Sequence, residues 1–208
     1  MVDTEPLWGI ATYELSELLG RRLDTEQRAR TVGGSFGNTL RVCAEWAGVE
    51  LQPGDYERYR GWMYARMGEL LSGELTPNPG VREVLASLLA DGIPMLVTTN
   101  TERELADRCI DAVGREFFCG SVTGDEVANP KPAPDMYLAA AQAVGQDPKD
   151  CLVFEDSWAG MSAAAAAGCV VLGLAEKVPE GVVPMNPQEF VGADAAWVYA
   201  RFSAATSR

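Results

Sequence analysis

The sequence predicts an α/β fold, a Rossmann-like parallel sheet core with an inserted α-helical cap, and three observations carry that reading. From about residue 76 onward, short all-apolar runs alternate with segments of helix length, the pattern of right-handed β-α-β crossovers in a parallel sheet. Before that point, residues 5 to about 75 have helical spacing and little strand signal. The length of 208 residues, 47% apolar and 23% charged, is enough for one substantial core and a smaller helical unit.

The elements follow in order. Leu7, Ile10, Ala11, Leu15, Leu18 and Leu19 recur three to four residues apart, and Gly20 stops that helix. Residues 39–47 form a second amphipathic helix closed by Gly48, and residues 56–71, with Tyr59, Met63, Met67, Leu70 and Leu71, a third. The loops between them hold glycine or proline, VGGSFG at 32–37 and LQPG at 51–54. Past LTPNPG at 75–80, residues 81–90 are a helix ended near Gly92, and PMLVT at 94–98 is a strand of the kind buried on both faces. A helix over 102–113, a short strand at 121–123, a helix over 135–144 and a buried strand at 151–154 come next. An alanine-rich helix over 157–167, stopped by Gly168, leads to a strand at 170–172, and the tail from Glu176 gives no clear element. The core thus takes residues 1–5 and 76–208, and the cap residues 6–75.

Composition narrows the chemistry. Seventeen basic side chains against thirty acidic ones leave a net charge of −13, which argues against nucleic acid or an anionic membrane as partner. There is no histidine, so Ser-His-Asp and Cys-His catalysis and histidine-bearing zinc sites are excluded. Acid-base or metal chemistry falls to carboxylates, Lys, Tyr or Cys. Cys43, Cys109, Cys119, Cys151 and Cys169 form no C-x-x-C pair and read as buried thiols in a reducing compartment. The opening MVDTEP lacks the basic and apolar stretches of a signal peptide, and no apolar run approaches the roughly eighteen residues of a membrane span. The expected location is cytoplasmic.

In open α/β sheets ligands sit at the carboxyl ends of the strands, and the residues there are polar. LVTTN at 96–100 supplies Thr98, Thr99 and Asn100; NPKPAPD at 129–135 supplies Lys131; VFEDS at 153–157 supplies Glu155 and Asp156. Each has a plainer reading. Thr98, taken alone, is better read as a turn or N-cap hydroxyl. Lys131 can be a solvated turn lysine, although prolines on both sides suggest a held position. Asp156 or Ser157 can cap the following helix, while strand alternation sends Glu155 and Asp156 to opposite sides, which fits a magnesium site at least as well.

On these residues, in this order, the chain resembles the haloacid dehalogenase (HAD)-like hydrolases, in the helical-cap subgroup that contains relatives of β-phosphoglucomutase and phosphoglycolate phosphatase. VDTEPLW at 2–8 is similar to the segment just after the family's first motif, LVTTN to the second, Lys131 in PKPAPD to the third, and VFEDSWAG at 153–160 to the fourth. The resemblance implies a Mg2+-dependent phosphohydrolase, a phosphatase of small phosphorylated metabolites acting through an aspartyl-phosphate. It implies Thr98 as a donor to the phosphoryl group, with Thr99 and Asn100 lining it, and Lys131 balancing the charge of phosphate and nucleophile. Asp156 would be the magnesium carboxylate, with Glu155 beside it as ligand or support. The 32–37 loop, with Arg30 near it, would read the substrate, or else simply connect two helices.

One departure stands out. The family's first motif is a buried strand followed by D-x-D-G, and the chain contains no D-x-D pair. Asp3 and Glu5 are read as acids at a helix N-terminus beside Pro6, not as substitutes. In the family that strand is central, so its absence would leave two unpaired edges and an exposed apolar seam. The expectation is a natural reading frame that begins upstream of Met1, and negligible phosphatase activity for the chain as it stands. The alternative function is a non-catalytic HAD-like module that binds a phospho-ligand or a partner protein; a sugar-phosphate mutase is a narrower variant.

Overall fold

The computed structural model of the chain describes residues 1–73 and 75–207. Helix α1 (Glu5–Leu18) carries Glu5 and Pro6 in its first turn, where a carboxylate meets the positive helix end and the missing proline N–H costs no bond. Helix α2 (Thr25–Ala29) is capped by Asp24, whose carboxylate accepts the Gln27 N–H at 2.8 Å. Helix α3 (Phe36–Ala47) starts at a Ser35 cap and stops at Gly48 in the left-handed conformation; α4 (Asp55–Leu70) follows. Helices α1, α3 and α4 bury Leu15, Leu40, Val42, Met63 and Met67 in one cluster that Leu105 also joins. Arg66 forks onto Glu14 with bonds of 2.7 and 2.9 Å, tying α4 to α1. A single antiparallel bridge, Val2 to Pro77, and an Asn78 N–H to Met1 carbonyl bond of 2.8 Å fasten the two ends of the helical unit together.

The rest alternates. Helix α5 (Val81–Ala90) leads to β1 (Leu96–Thr99), α6 (Arg103–Val113), β2 (Gly120–Thr123) and α7 (Asp135–Ala143). Then come β3 (Leu152–Glu155), α8 (Trp158–Ala167), β4 (Val170–Gly173), the short β5 (Val183–Pro184) and α9 (Ala195–Thr206). All pairings between these strands are parallel. Alternate residues of β3 and β4 face opposite ways: Leu152, Phe154 and Leu172 pack with α5 and α9, Val153 and Val171 with α7 and α8. Gly80, at φ +82°, lets the start of α5 approach the 187–190 turn, since a Cβ there would fall 2.1 Å from the Phe190 carbonyl oxygen.

The sheet is in two pieces. Leu96–Thr99 pairs with Gly120–Thr123, and Leu152–Glu155 with Val170–Gly173, but among the described residues no ladder joins β1 to β3. Their facing edges lack strand partners.

Several elements differ from the sequence reading. Helix α3 starts at Phe36 rather than 39, because the Ser35 hydroxyl takes the Asn38 N–H and turns the end of the 32–37 loop into a helix start. Helices α2 and α9 and strand β5 were not expected. Helix α9 stands on Asp194, which accepts the Trp197 N–H at 2.9 Å, and it buries Ala195 and Val198 against α5.

Candidate functional site

Between the facing edges of β1 and β3, under the helical unit, lies a cavity of about 380 Å³. Its upper wall is polar and carries all six residues singled out from the sequence: Thr98, Thr99, Asn100, Lys131, Glu155 and Asp156. The strand ends deliver the first three and last two, and the turn before α7 delivers Lys131.

Lys131 is the centre of this wall and is only 6% exposed. Its ammonium donates to the Thr98 carbonyl at 3.0 Å and pairs with Glu155, and it lies 4.8 Å above the Tyr137 ring. It therefore spans the ends of β1 and β3. An ammonium has three donors, and two are used by these oxygens. Asn100 fixes the lysine's backbone from both sides, accepting its N–H at 2.8 Å and donating to its carbonyl at 3.0 Å.

Glu155 and Asp156 do different work. Glu155 accepts from Lys131, from the Tyr137 hydroxyl at 2.7 Å and, through its other oxygen, from the Ser157 hydroxyl at 3.2 Å. Burial opposes its charge, but the Lys131 ammonium, the Tyr137 hydroxyl and the Ser157 N–H outweigh burial and hold its carboxyl below the usual range. Burial and the Glu155 charge push the Tyr137 phenol up, so it stays a donor. Asp156 points the other way, on the open side, and its carboxylate has no hydrogen bond or ion pair among the described residues. Crowding by protein and the Glu155 charge raise its pKa. Ser157 caps α8 by accepting the Gly160 N–H at 3.0 Å.

The 32–37 loop reaches this wall. Asn100 also donates to the Gly33 carbonyl at 3.0 Å, and Gly33, at φ +68°, sits where a Cβ would be 2.6 Å from the Ser157 Cβ. No larger residue fits there. Arg30, expected beside the substrate, instead faces outward onto Gln27 and Glu45. Arg28 lines the cavity in its place, buried, paired with Glu5 and donating to the Thr31 hydroxyl at 2.8 Å. The sequence reading missed it because its partner Glu5 lies on another helix. It also missed Thr12 and Thr39, buried residues of α1 and α3 that line the same cavity. Neither hydroxyl bonds to a described residue, and no fully enclosed side-chain polar atom among those residues lacks a partner; both hydroxyls therefore open onto the cavity.

Asp3 and Glu5 behave as helix-end acids. Asp3 accepts the Glu5 N–H at 3.2 Å, and Glu5 turns to Arg28.

Comparison with known proteins gives the family and the fold. A family model for haloacid dehalogenase-like hydrolases matches residues 45–168. The phosphorylated carbohydrates phosphatase of Thermotoga maritima is 30% identical over 169 residues, 81% of this chain and 77% of that protein. Protein CbbY of Rhodobacter capsulatus is 41% identical over 107 residues, half of this chain and 47% of that protein. In three dimensions the chain is similar to β-phosphoglucomutase from Clostridium difficile, with a TM-score of 0.87 at 18% identity, covering 100% of this chain and 95% of that one. At that identity the likeness speaks for the fold alone.

Proposed function

The chain belongs to the haloacid dehalogenase-like hydrolases, and on that premise we propose that its cleft holds a small phosphorylated metabolite, a sugar phosphate, with the phosphoryl group at Lys131. The observation that carries the reading is the buried Lys131 ammonium at the junction of two strand ends, its backbone clamped by Asn100. A cation so fixed meets a phosphoryl oxygen at little reorganisation cost. Thr98 and Thr99 line the same cavity, with the Thr99 hydroxyl accepting the Thr101 N–H at 3.1 Å. The phosphatase of T. maritima, named for phosphorylated carbohydrates, supports the substrate class.

The cap side fits the rest of such a ligand. Thr12 and Thr39 offer free hydroxyls, and Arg28 with Glu5 offers a neutral donor-acceptor pair suited to ligand hydroxyls rather than to a second phosphate. Closing over the phosphoryl end, this layer excludes water.

Asp156 would be the carboxylate to offer magnesium, since among the described residues of the site its carboxylate alone has no hydrogen bond or ion pair. Glu155 has both oxygens engaged, and among the described residues no group of three or more His, Cys, Asp or Glu gathers around a point that would hold a metal. These residues do not complete a magnesium site, and no step is routed through one. Nor does the chain contain the D-x-D pair that would supply nucleophile and acid-base groups. What its own residues do is bind, orient and neutralise the phosphate. The reading these residues support is the phosphate-holding part of a hydrolase-family site.

Isothermal titration with a panel of hexose monophosphates, free hexoses and inorganic phosphate tests this. The expected result is saturable binding of the monophosphates, no released phosphate, and at least tenfold weaker binding in Thr98→Val and in the charge-neutral pair Lys131→Met/Glu155→Gln. Binding unchanged in both variants would place the ligand elsewhere.

A further inference from the structure

We propose that Cys151 and Cys169 form a paired-thiol site, oxidised by a small disulfide of the glutathione class to an intramolecular bond that staples the amino ends of β3 and β4. This is independent of what the polar wall binds. It rests on the register of one parallel ladder.

The sequence reads all five cysteines as buried thiols, but the structure buries Cys43 alone; Cys109, Cys151 and Cys169 are half-buried and Cys119 is exposed. Cys151 and Cys169 each stand just before a strand, with the whole of α8 between them in the chain. Leu152 of β3 lies opposite Val170 of β4, and the Val170 N–H donates to the Cys151 carbonyl at 3.0 Å. The ladder thus sets Cys151 directly beside Cys169. Neighbouring strands stand about 4.8 Å apart, within the ~4.4–6.8 Å between Cα atoms that a disulfide spans. Alternation along both strands puts the two thiols on the face of Val153 and Val171, under α7 and α8, and Cys169 packs there with them. Cys119 also precedes a strand, but across from it stands Met95, whose carbonyl accepts its S–H at 3.3 Å.

The setting decides the chemistry. Burial, and then the neighbouring Cys151, push the Cys169 thiol up to about 11; burial and the Asp150 and Asp147 carboxylates push Cys151 up as well. Neither is a ready nucleophile alone, so adjacency is what favours the pair. Asp150 and Gly168, next to the two thiols, are exposed, and this end of the sheet is open to a small reagent. Cys151, the less crowded, loses its proton to solvent and attacks one sulfur of the small disulfide, whose S–S bond breaks and releases a first small thiol. Cys169 then loses its proton and attacks the Cys151 sulfur, releasing the second. Two protein thiols are oxidised and one small disulfide is reduced. The new bond closes a ring around Glu155, Asp156, Ser157 and α8.

The test incubates the reduced chain with glutathione disulfide, alkylates the remaining thiols in denaturant and maps the peptides. The expected result is one linked peptide joining Cys151 to Cys169, with a glutathione adduct on Cys119. The balance against glutathione should lie at least about tenfold further toward the bond in the native chain than in urea, where the register is lost. Cys151→Ala and Cys169→Ala should each abolish the linked peptide. Glutathione adducts on both Cys151 and Cys169 of one chain would overturn the proposal, as would both left free once Cys119 is fully modified. So would a linkage through other cysteines, a bond between two chains, or an equal balance in urea.

Discussion

Replacing Lys131 by methionine leaves Glu155 charged in a place where only 11% of its side chain meets solvent. The Tyr137 hydroxyl and the Ser157 groups remain as its donors, but no cation does. Removing one partner of a buried pair costs roughly 3–5 kcal/mol. For a chain of this size each kcal/mol moves Tm by about 2–4 °C, so the variant should melt about 6–20 °C lower. Adding Glu155→Gln removes the stranded charge and should recover about half or more of the loss. The pH dependence has a definite sign. Because the folded-state pKa of Glu155 is depressed, the stability it brings is present above its ordinary value of 4.5 and fades as pH falls toward the depressed one. In Lys131→Met the same carboxyl is buried without its cation, which raises its pKa, so acidification already relieves the variant above pH 4.5, and the gap narrows further below 4.5 as the wild type loses its own share. Urea melts of the wild-type chain, both single variants and the double variant at pH 7 and pH 4 measure all of this. A single-variant loss under ~1 kcal/mol, or losses that simply add in the double variant, would refute the reasoning.

Three further outcomes are expected. Asn100→Ala removes three hydrogen bonds, to the Gly33 carbonyl and to both backbone groups of Lys131, and should cost about 2–4 kcal/mol with faster amide exchange in the 32–37 loop. Gly80→Ala combines positive φ with a Cβ 2.1 Å from the Phe190 carbonyl oxygen, so a loss above ~2 kcal/mol in chemical denaturation is expected, where a typical exposed glycine replacement is near neutral. In Glu14→Gln the fork from Arg66 is weakened: the hydrogen bonds of Arg66 hold the Glu14 carboxyl low, so the deficit of about 0.5–1 kcal/mol at pH 7 should vanish as pH falls well below the ordinary value of 4.5.

What the sequence made legible is what local chemistry decides. The prolines around Lys131 announced a held lysine, and the period of two along β3 announced that Glu155 and Asp156 part company, one inward and one outward. The polar wall came through as a set because strand ends in such sheets converge by topology. Which carboxylate stays free did not, since that depends on Tyr137 and Lys131 arriving from another turn. Arg28 illustrates the same limit. Its neighbours in sequence resemble those of Arg30, and only the approach of Glu5 from α1 and Thr31 makes it the inward one. Helix α2 has five residues, too few for a periodic signal, and β5 has two, one of them proline. Helix α9 was hidden by the proline- and glycine-bearing segment before it, although Asp194 is an ordinary N-cap.

The three bonds of Asn100 also bear on the order of events at the cleft. Lifting the 32–37 loop away from the strand end means giving up the bond to Gly33 while the two bonds to Lys131 hold. The latch and the lysine's anchor are thus one amide group, and any opening of the 32–37 loop would leave that amide with an idle N–H beside the Lys131 cation. A ligand oxygen that captures the N–H keeps the door ajar, and one that leaves it alone lets the door shut behind it. Ligands of equal charge at Lys131 would then differ in how long they stay, according to what they offer Asn100.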